Sequence, residues 1–77
     1  MTRLPVVSAA QMEDLLLGLG FSRKRVTGSH AIYVHADGRY TVVPRHGGKT
    51  LNRPLVRAIL RQIELAPEDY VRILRDC

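Results

Sequence analysis

The sequence predicts an α+β fold in which helices cover one face of a three-stranded antiparallel sheet, in the order α-β-β-β-α-α. Two apolar stripes of helical period, one near each end of the chain, predict the helices. Between them, two glycine-containing turns separate three short runs that are suited to strands. With 77 residues, of which 45% are hydrophobic, the chain is expected to form a single domain over residues 1–77.

The first helix is predicted by its capping residues. Ser8 can accept a hydrogen bond from the backbone of Gln11 while the Gln11 side chain reaches back, which is the pattern of a capping box. Gly20 suits the left-handed position that ends a helix. One apolar stripe follows the cap and comprises Met12, Leu15, Leu16 and Leu19. This spacing places all four side chains on one side of the helix.

Three strands are predicted over residues 21–27, 30–35 and 39–44. Glycine-containing pairs at 28–29 and 37–38 form the turns between them. Because side chains alternate between the two faces of a sheet, Ile32 and Val34 are expected to face the core. His30 has the same parity, although the first residue after a turn often leaves the alternation.

A second helix is predicted over residues 53–65, with Pro54 preset for its first turn. Its apolar side comprises Leu55, Val56, Ile59, Leu60 and Ile63. Its opposite side carries Arg53, Arg57 and Arg61. These arginines form either a solvated helix face or a docking surface for an acidic partner. A last short helix begins around Pro67, with acidic residues at its start and arginines near its end, as the helix dipole favours.

The chain is strongly basic, with a formal charge of +5, and ten of its twelve cationic residues are arginine. Such a charge attracts polyanions, namely nucleic acid, an anionic membrane or an acidic protein. Arginine favours phosphate because its planar guanidinium binds oxyanions through two hydrogen bonds. The single cysteine, Cys77, excludes an internal disulfide framework and a cysteine-based zinc site. Since the sequence has no secretion signal and no apolar segment long enough to cross a membrane, we expect a cytoplasmic protein.

The candidate catalytic residue is His30, which follows the Gly28-Ser29 turn and therefore stands near an exposed strand end. Imidazole is suited to moving protons near neutral pH, and in a small basic protein the expected substrate is the ribose 2′-hydroxyl or the phosphodiester of RNA. The alternative is a histidine that only packs or hydrogen-bonds at the strand terminus. His35 and His46 could join it in a metal cluster, but their spacings match no known zinc pattern. We therefore expect neither a metal site nor a cofactor.

Cations and turn residues around this histidine are predicted to bind RNA. They are Lys24, Arg25, Gly28, Ser29, Arg45, His46 and Lys49. His46, which lies between two of the cations, is expected to contact phosphate or to act as a second proton carrier. The alternatives are protection of a sheet edge by Lys24 and Arg25, and an ordinary solvated loop around His46.

These residues resemble the HicA family of toxins. The resemblance extends from about residue 12 to about residue 74 and rests on an ordered set of short motifs. The motifs are Leu17-Gly18-Leu19-Gly20-Phe21, Gly28-Ser29-His30, Ile32-Tyr33, Asp37-Gly38-Arg39, Val42-Val43-Pro44-Arg45-His46 and Leu55-Val56-Arg57-Ala58-Ile59-Leu60-Arg61-Gln62.

The resemblance implies a double-stranded-RNA-binding-domain-like fold and a ribonuclease that cleaves messenger RNA without the ribosome. The catalytic histidine of the family falls on His30. Members are usually held inactive by a HicB antitoxin, which is the implied protein partner beside RNA. The expected mechanism needs no metal, because the 2′-hydroxyl attacks the adjacent phosphorus while His30 acts as general acid or base.

Many HicA toxins carry a second histidine directly after the first, where this chain has Ala31. If that position carried the chemistry, the chain would be a weak or inactive enzyme. A non-catalytic RNA-binding module of the same fold and a protein-interaction domain are therefore kept as alternatives. Tyr33 and Tyr40 are candidates for base stacking, but with aromatic residues at 5% of the chain we assign both to sheet packing.

Overall fold

The computed structural model describes residues 4–45 and 50–76, and within them the chain forms three helices and three strands. In order these are α1 (Ala9–Gly18), β1 (Ser22–Thr27), β2 (His30–Val34), β3 (Tyr40–Pro44), α2 (Arg53–Gln62) and α3 (Pro67–Asp76). The predicted α+β class and the predicted order of elements are confirmed. None of these helices is long and apolar enough to span a membrane.

Helix α1 begins at the predicted capping box. The backbone N–H of Gln11 donates to Ser8 Oγ at 3.2 Å, and the backbone N–H of Ser8 donates to Gln11 Oε1 at 2.8 Å. The first of these bonds satisfies one of the donors that the first helical turn leaves without a partner. Gly20 has a φ of +95°, so the chain leaves the helix through the left-handed conformation that glycine adopts without strain.

Helix α2 ends at Gln62, three residues earlier than predicted. Asn52 caps its start, because the Asn52 Oδ1 atom accepts from the backbone N–H of Leu55 at 2.9 Å. Beyond its end, Glu64 has a φ of +58°, a left-handed conformation that cannot continue a right-handed helix. Ile63 is nevertheless fully buried. The apolar pattern therefore continues past the helix, because it reports burial rather than helical hydrogen bonding.

The strands form one antiparallel sheet in the order β1-β2-β3, so that β2 is the central strand. The register pairs His30 with Thr27 of β1 and with Pro44 of β3. Since residues paired across antiparallel strands have their side chains on the same face, these three side chains form a row across the sheet.

The two faces of the sheet are packed differently. Helices α1 and α2 contact the sheet from one side, which we call the inner face. The inner-face residues of β2 and β3 are fully buried, namely Ala31, Tyr33, Thr41 and Val43. His30 and Tyr40 are exposed on the outer face, and the other outer-face residues of β2 and β3 are half-buried, namely Ile32, Val34, Val42 and Pro44. In the part of the chain that the structure describes, the outer face is the open one.

The prediction that Ile32 and Val34 face the core is wrong. The alternation along β2 is regular, but the buried positions are Ala31 and Tyr33. Both sets of positions carry apolar side chains, so the alternation did not distinguish the inner face from the outer one. His30 therefore lies on the open face without any departure from the alternation.

Polar residues on the inner face have partners on the helices. The hydroxyl of Tyr33 donates to Glu13 on α1, and the hydroxyl of Thr41 donates to Gln62 on α2 at 2.5 Å. A buried hydroxyl without a partner would cost free energy, whereas a paired one can be buried beneath a helix. These two bonds therefore help to decide which face of the sheet the helices cover.

The amino-terminal segment is hydrogen-bonded both to α3 and to the segment before α2. The Tyr70 hydroxyl on α3 donates to the backbone oxygen of Pro5 at 2.7 Å, and the Leu51 N–H donates to the oxygen of Val7 at 2.8 Å. Tyr70 is fully buried, and this burial raises the pKa of its hydroxyl. The hydrophobic core therefore includes Leu4 in the amino-terminal segment and Tyr70 on α3.

Candidate functional site

His30 is the first residue of β2 and is exposed on the outer face. The preceding turn places it there, because Gly28 has a φ of +57° and allows the chain to reverse sharply. Its row neighbours Thr27 and Pro44 carry no ionisable group. The imidazole is therefore the one titratable side chain of its row, and a ligand can approach it from solvent.

Two of the predicted RNA-binding cations, Lys24 and Arg25, lie on the same side of the sheet as His30. Arg25 pairs with Ile32, which places its side chain on the outer face, diagonally from His30. A β-bulge makes Lys24 the extra residue of β1, and Lys24, Arg25 and Ile32 line one depression. Among the described residues, neither cation lies within ion-pair distance of a carboxylate. Both charges are available to a bound anion, although β1 is an edge strand and edge protection has the same geometry.

Tyr33 forms a polar network beneath the sheet and is not available to a ligand. Its hydroxyl donates to Glu13 Oε2, and Arg23 Nη1 lies 3.4 Å from the same oxygen. Burial, together with the hydrogen bond to Glu13, raises the pKa of Tyr33 to about 12. Its assignment to sheet packing is confirmed, whereas the assignment of Tyr40 is wrong, since Tyr40 is 62% exposed.

Arg45 lies beside the turn that carries His30. Its backbone N–H donates to the oxygen of Ser29 at 2.5 Å, which continues the pairing of β2 with β3 past the end of the sheet. Its position one residue after Pro44 directs its side chain toward the inner side, and its charge opposes the rise that burial causes in the pKa of Tyr33. Arg45 therefore flanks the turn from the side opposite to His30.

The other predicted contacts divide into two groups. Gly28 and Ser29 form the exposed turn itself. His46 and Lys49 lie outside the residues that the structure describes.

His35 lies at the opposite end of β2 and holds the hairpin together. Its ring packs edge-on against Phe21 with 5.0 Å between ring centroids, and its Nδ1 atom accepts from the Asp37 N–H at 3.1 Å. The Arg39 guanidinium lies 5.3 Å from the centre of the Phe21 ring and donates to Asp37 at 2.8 Å. A Cβ atom on Gly20 would lie 3.1 Å from His35 Nε2, so the backbone also passes close to the ring. In the sequence, the Gly20-Phe21 pair immediately before the first strand is the local feature that fits the enclosure of the His35 ring, because a glycine leaves room beside an aromatic side chain.

A metal site shared by His30 and His35 is excluded by distance. The two residues are five positions apart along an extended strand, or roughly 17 Å at about 3.3 Å per residue. Within residues 4–45 and 50–76, no three histidine, cysteine or acidic side chains converge on one point.

Ala31, where many HicA toxins carry a second histidine, lies on the inner face. It pairs with Val26 and Val43 and is fully buried. Its side chain and that of His30 are directed to opposite faces of β2. In this chain, position 31 therefore does not lie on the same face of the sheet as His30.

These features define the protein as a small basic α+β domain with an exposed histidine on an open, cation-lined sheet face. The model of the family described as the HicA toxin of bacterial toxin–antitoxin systems matches residues 9–65, which include α1, α2 and all three strands of the sheet. The chain belongs to the HicA toxin family. No curated protein matches the sequence.

Proposed function

We propose that this toxin is a metal-independent endoribonuclease in which His30 acts as general acid or base. The observation that carries the proposal is the exposure of His30 on the outer face, with Lys24 and Arg25 on the same side. An imidazole beside two cations suits a phosphodiester, because it can move a proton where the cations can balance negative charge. RNA is the polyanion that carries its own nucleophile, the 2′-hydroxyl.

The reaction is an internal transesterification. The 2′-oxygen attacks the adjacent phosphorus, so that the O2′–P bond forms while the P–O5′ bond breaks. A proton leaves the 2′-hydroxyl and another reaches the departing 5′-oxygen, and His30 carries out one of these transfers. The products are a 2′,3′-cyclic phosphate and a 5′-hydroxyl end. Because the nucleophile belongs to the substrate, the reaction requires no metal-bound water.

The cations act on the charge that develops at the phosphorus. Lys24 and Arg25 approach from the outer face, whereas Arg45 flanks the turn from the inner side and is proposed to reach the phosphate around the end of the strand. His46 and Lys49 are proposed to complete the phosphate contacts, and His46 is the proposed second proton carrier. A single positioned acid or base contributes roughly 10²- to 10⁴-fold to a rate, so modest turnover is expected.

The partner of the toxin is proposed to be a HicB-like antitoxin that covers His30. Membership in a toxin–antitoxin family supports an antitoxin, and the net charge of +5 favours an acidic one. One equivalent of the purified antitoxin is expected to stop RNA cleavage. Cleavage that continues in a stoichiometric complex would contradict this placement.

The proposed activity is tested by incubating a long RNA with purified protein in the presence of EDTA. Wild-type protein is expected to cleave the RNA, whereas His30→Ala should lower the rate at least about 100-fold while its circular dichroism spectrum is unchanged. Fragment ends should carry a cyclic phosphate and a 5′-hydroxyl. A 2′-deoxy substitution at one cleavage site should protect that site alone.

Two results would count against the proposal. A folded His30→Ala protein that still cleaves RNA and inhibits growth would refute the role of His30. Wild-type protein that binds RNA but leaves it intact would instead support a non-catalytic RNA-binding module.

A further inference from the structure

Tyr40 is more exposed than the other large hydrophobic residues on the described surface, at 62% against 48% for Leu17 and for Val26. It is the first residue of β3 and pairs with Val34, so its side chain lies on the outer face. Tyr33 and Tyr70, in contrast, are fully buried. The ring of Tyr40 therefore contributes little to the core and is available to a ligand on the open face.

An apolar strip connects Tyr40 with His30 across the outer face. Its members are Ile32, Val34, Val42 and Pro44, all half-buried. His30 pairs with Pro44 and Tyr40 pairs with Val34, so four residue steps, or about 13 Å, separate the two positions along the strands. A molecule that contacts both side chains therefore has to lie along the strip, as an extended RNA strand of several nucleotides does.

The charges beside the strip differ between its two ends. Lys24 and Arg25 line the depression beside Ile32, whereas Tyr40 shares its cavity with the carboxylates of Asp37 and Glu64 and with Arg39, which pairs with Asp37 at 2.8 Å. The β1 side carries two cations, whereas the tyrosine end carries two carboxylates and one cation, so phosphate groups are attracted more strongly to the β1 side. At that end, an uncharged base fits the surface better than a phosphate does.

We propose that the outer face is a binding track for single-stranded RNA and that Tyr40 is a base-stacking subsite within it. The inference rests on the proposed function, because it places the scissile phosphate at His30. Aromatic side chains on an open sheet stack with bases that are not paired, and such stacking tolerates every base. The cations beside the strip favour RNA over a neutral or basic protein surface. A duplex would offer no free base to the ring.

The test compares wild-type protein with Tyr40→Ala and Tyr40→Phe on RNA substrates of different length. The substrates are a dinucleotide and oligonucleotides extended by a few nucleotides on either the 5′ or the 3′ side alone. Extension on one side is expected to raise kcat/KM for wild type and for Tyr40→Phe. Tyr40→Ala should lose roughly 5- to 100-fold on that substrate and nothing on the dinucleotide. Leu17→Ala, which removes an exposed apolar side chain from α1, serves as the matched control and should behave as wild type.

Binding of a 2′-O-methyl oligonucleotide, which cannot be cleaved, separates the subsite from the chemistry. If the oligonucleotide binds Tyr40→Ala more weakly than wild type while wild type cleaves nothing, the track stands and the proposed activity fails. If wild type cleaves RNA and Tyr40→Ala equals it on every substrate, the subsite is refuted while the activity stands. Wild-type protein that neither binds nor cleaves RNA overturns both. An effect of Tyr40→Ala on antitoxin binding alone would assign the face to a protein and overturn the track.

Discussion

His30 and His35 stand at the two ends of β2 and have opposite surroundings. His30 is exposed on an open sheet face, after a turn in which Gly28 has a positive φ. The side chain of His35 is only 23% exposed, with its ring against Phe21 and its Nδ1 atom beside Asp37. The same residue type thus has two different surroundings within six positions. The neighbouring structure at each strand end sets these surroundings, and the residue type does not.

The largest expected effect comes from replacing each histidine with glutamine. His30→Gln should lower kcat/KM for RNA cleavage at least about 100-fold and leave the free energy of unfolding nearly unchanged, because an exposed side chain makes few stabilising contacts. His35→Gln should retain most of the activity and lose about 0.5–1.5 kcal/mol of stability with the ring contact to Phe21. Cleavage kinetics and urea unfolding measure the two quantities.

The comparison fails if the two variants exchange their effects. A His35→Gln protein that is fully folded but inactive would move the chemistry to the hairpin end of β2. A His30→Gln protein that is destabilised but active when folded would give His30 a structural task.

Introducing a histidine at position 31 sharpens the contrast between the two faces of β2. Ala31 is fully buried against the helices, so Ala31→His should destabilise the fold by about 1–3 kcal/mol through overpacking. It should not raise the cleavage rate, because the new imidazole is directed away from His30. Thermal unfolding and cleavage of a long RNA check both expectations. A stable and more active Ala31→His protein would contradict the assignment of position 31 to the inner face.

The raised pKa of Tyr33 predicts a loss of folding stability at high pH. Its pKa is about 12 in the folded protein, against 10.0 for an ordinary tyrosine, so the folded state holds the proton more tightly. The stabilisation is therefore complete below about pH 10 and is lost as the pH rises through about 12. Tyr33→Phe should unfold with a shallower pH dependence in that window. An unchanged dependence in urea unfolding would indicate that another group causes it.

The smallest effect is expected from the hairpin ion pair at the His35 end. The Asp37 carboxylate accepts hydrogen bonds from the backbone N–H and from the side chain of Arg39. Both bonds lower the pKa of Asp37 below 3.8, and the backbone bond has the larger effect. The carboxylate therefore stabilises the fold above that value, and the contribution disappears as the pH falls through the lowered pKa. Asp37→Asn should reduce Tm slightly at neutral pH and have no effect in strong acid. A difference from wild type that persists in strong acid would point to packing instead of charge.

Much of the fold was predictable because its signals are local. The capping box of Ser8 and Gln11 and the helix-ending Gly20 each depend on a few neighbouring residues, and the structure contains both. The end of α2 was not predictable in this way. Ile63 continues the apolar period although the helix has ended, and no glycine marks the left-handed position that Glu64 occupies.

The candidate site was partly predictable for the same reason. His30 and its turn stand out as a short contiguous motif, whereas the grouping of Lys24 and Arg25 with His30 depends on the register and the bulge of β1. The direction of Arg45 and the exposure of Tyr40 depend on which face of the sheet is open. No spacing in the sequence carries that information.

By itself the sequence determined the elements and their order, together with the cap that begins α1 and the glycine that follows it, because propensity, capping and turn formation act over a few residues. Only the tertiary structure decided which face of the sheet is buried. Side chains on both faces are apolar, and alternation along a strand is symmetric with respect to the two faces. The symmetry is broken by distant residues, since Glu13 and Gln62 on the helices provide partners for Tyr33 and Thr41. That choice leaves His30 in solvent and places Ala31 in the core.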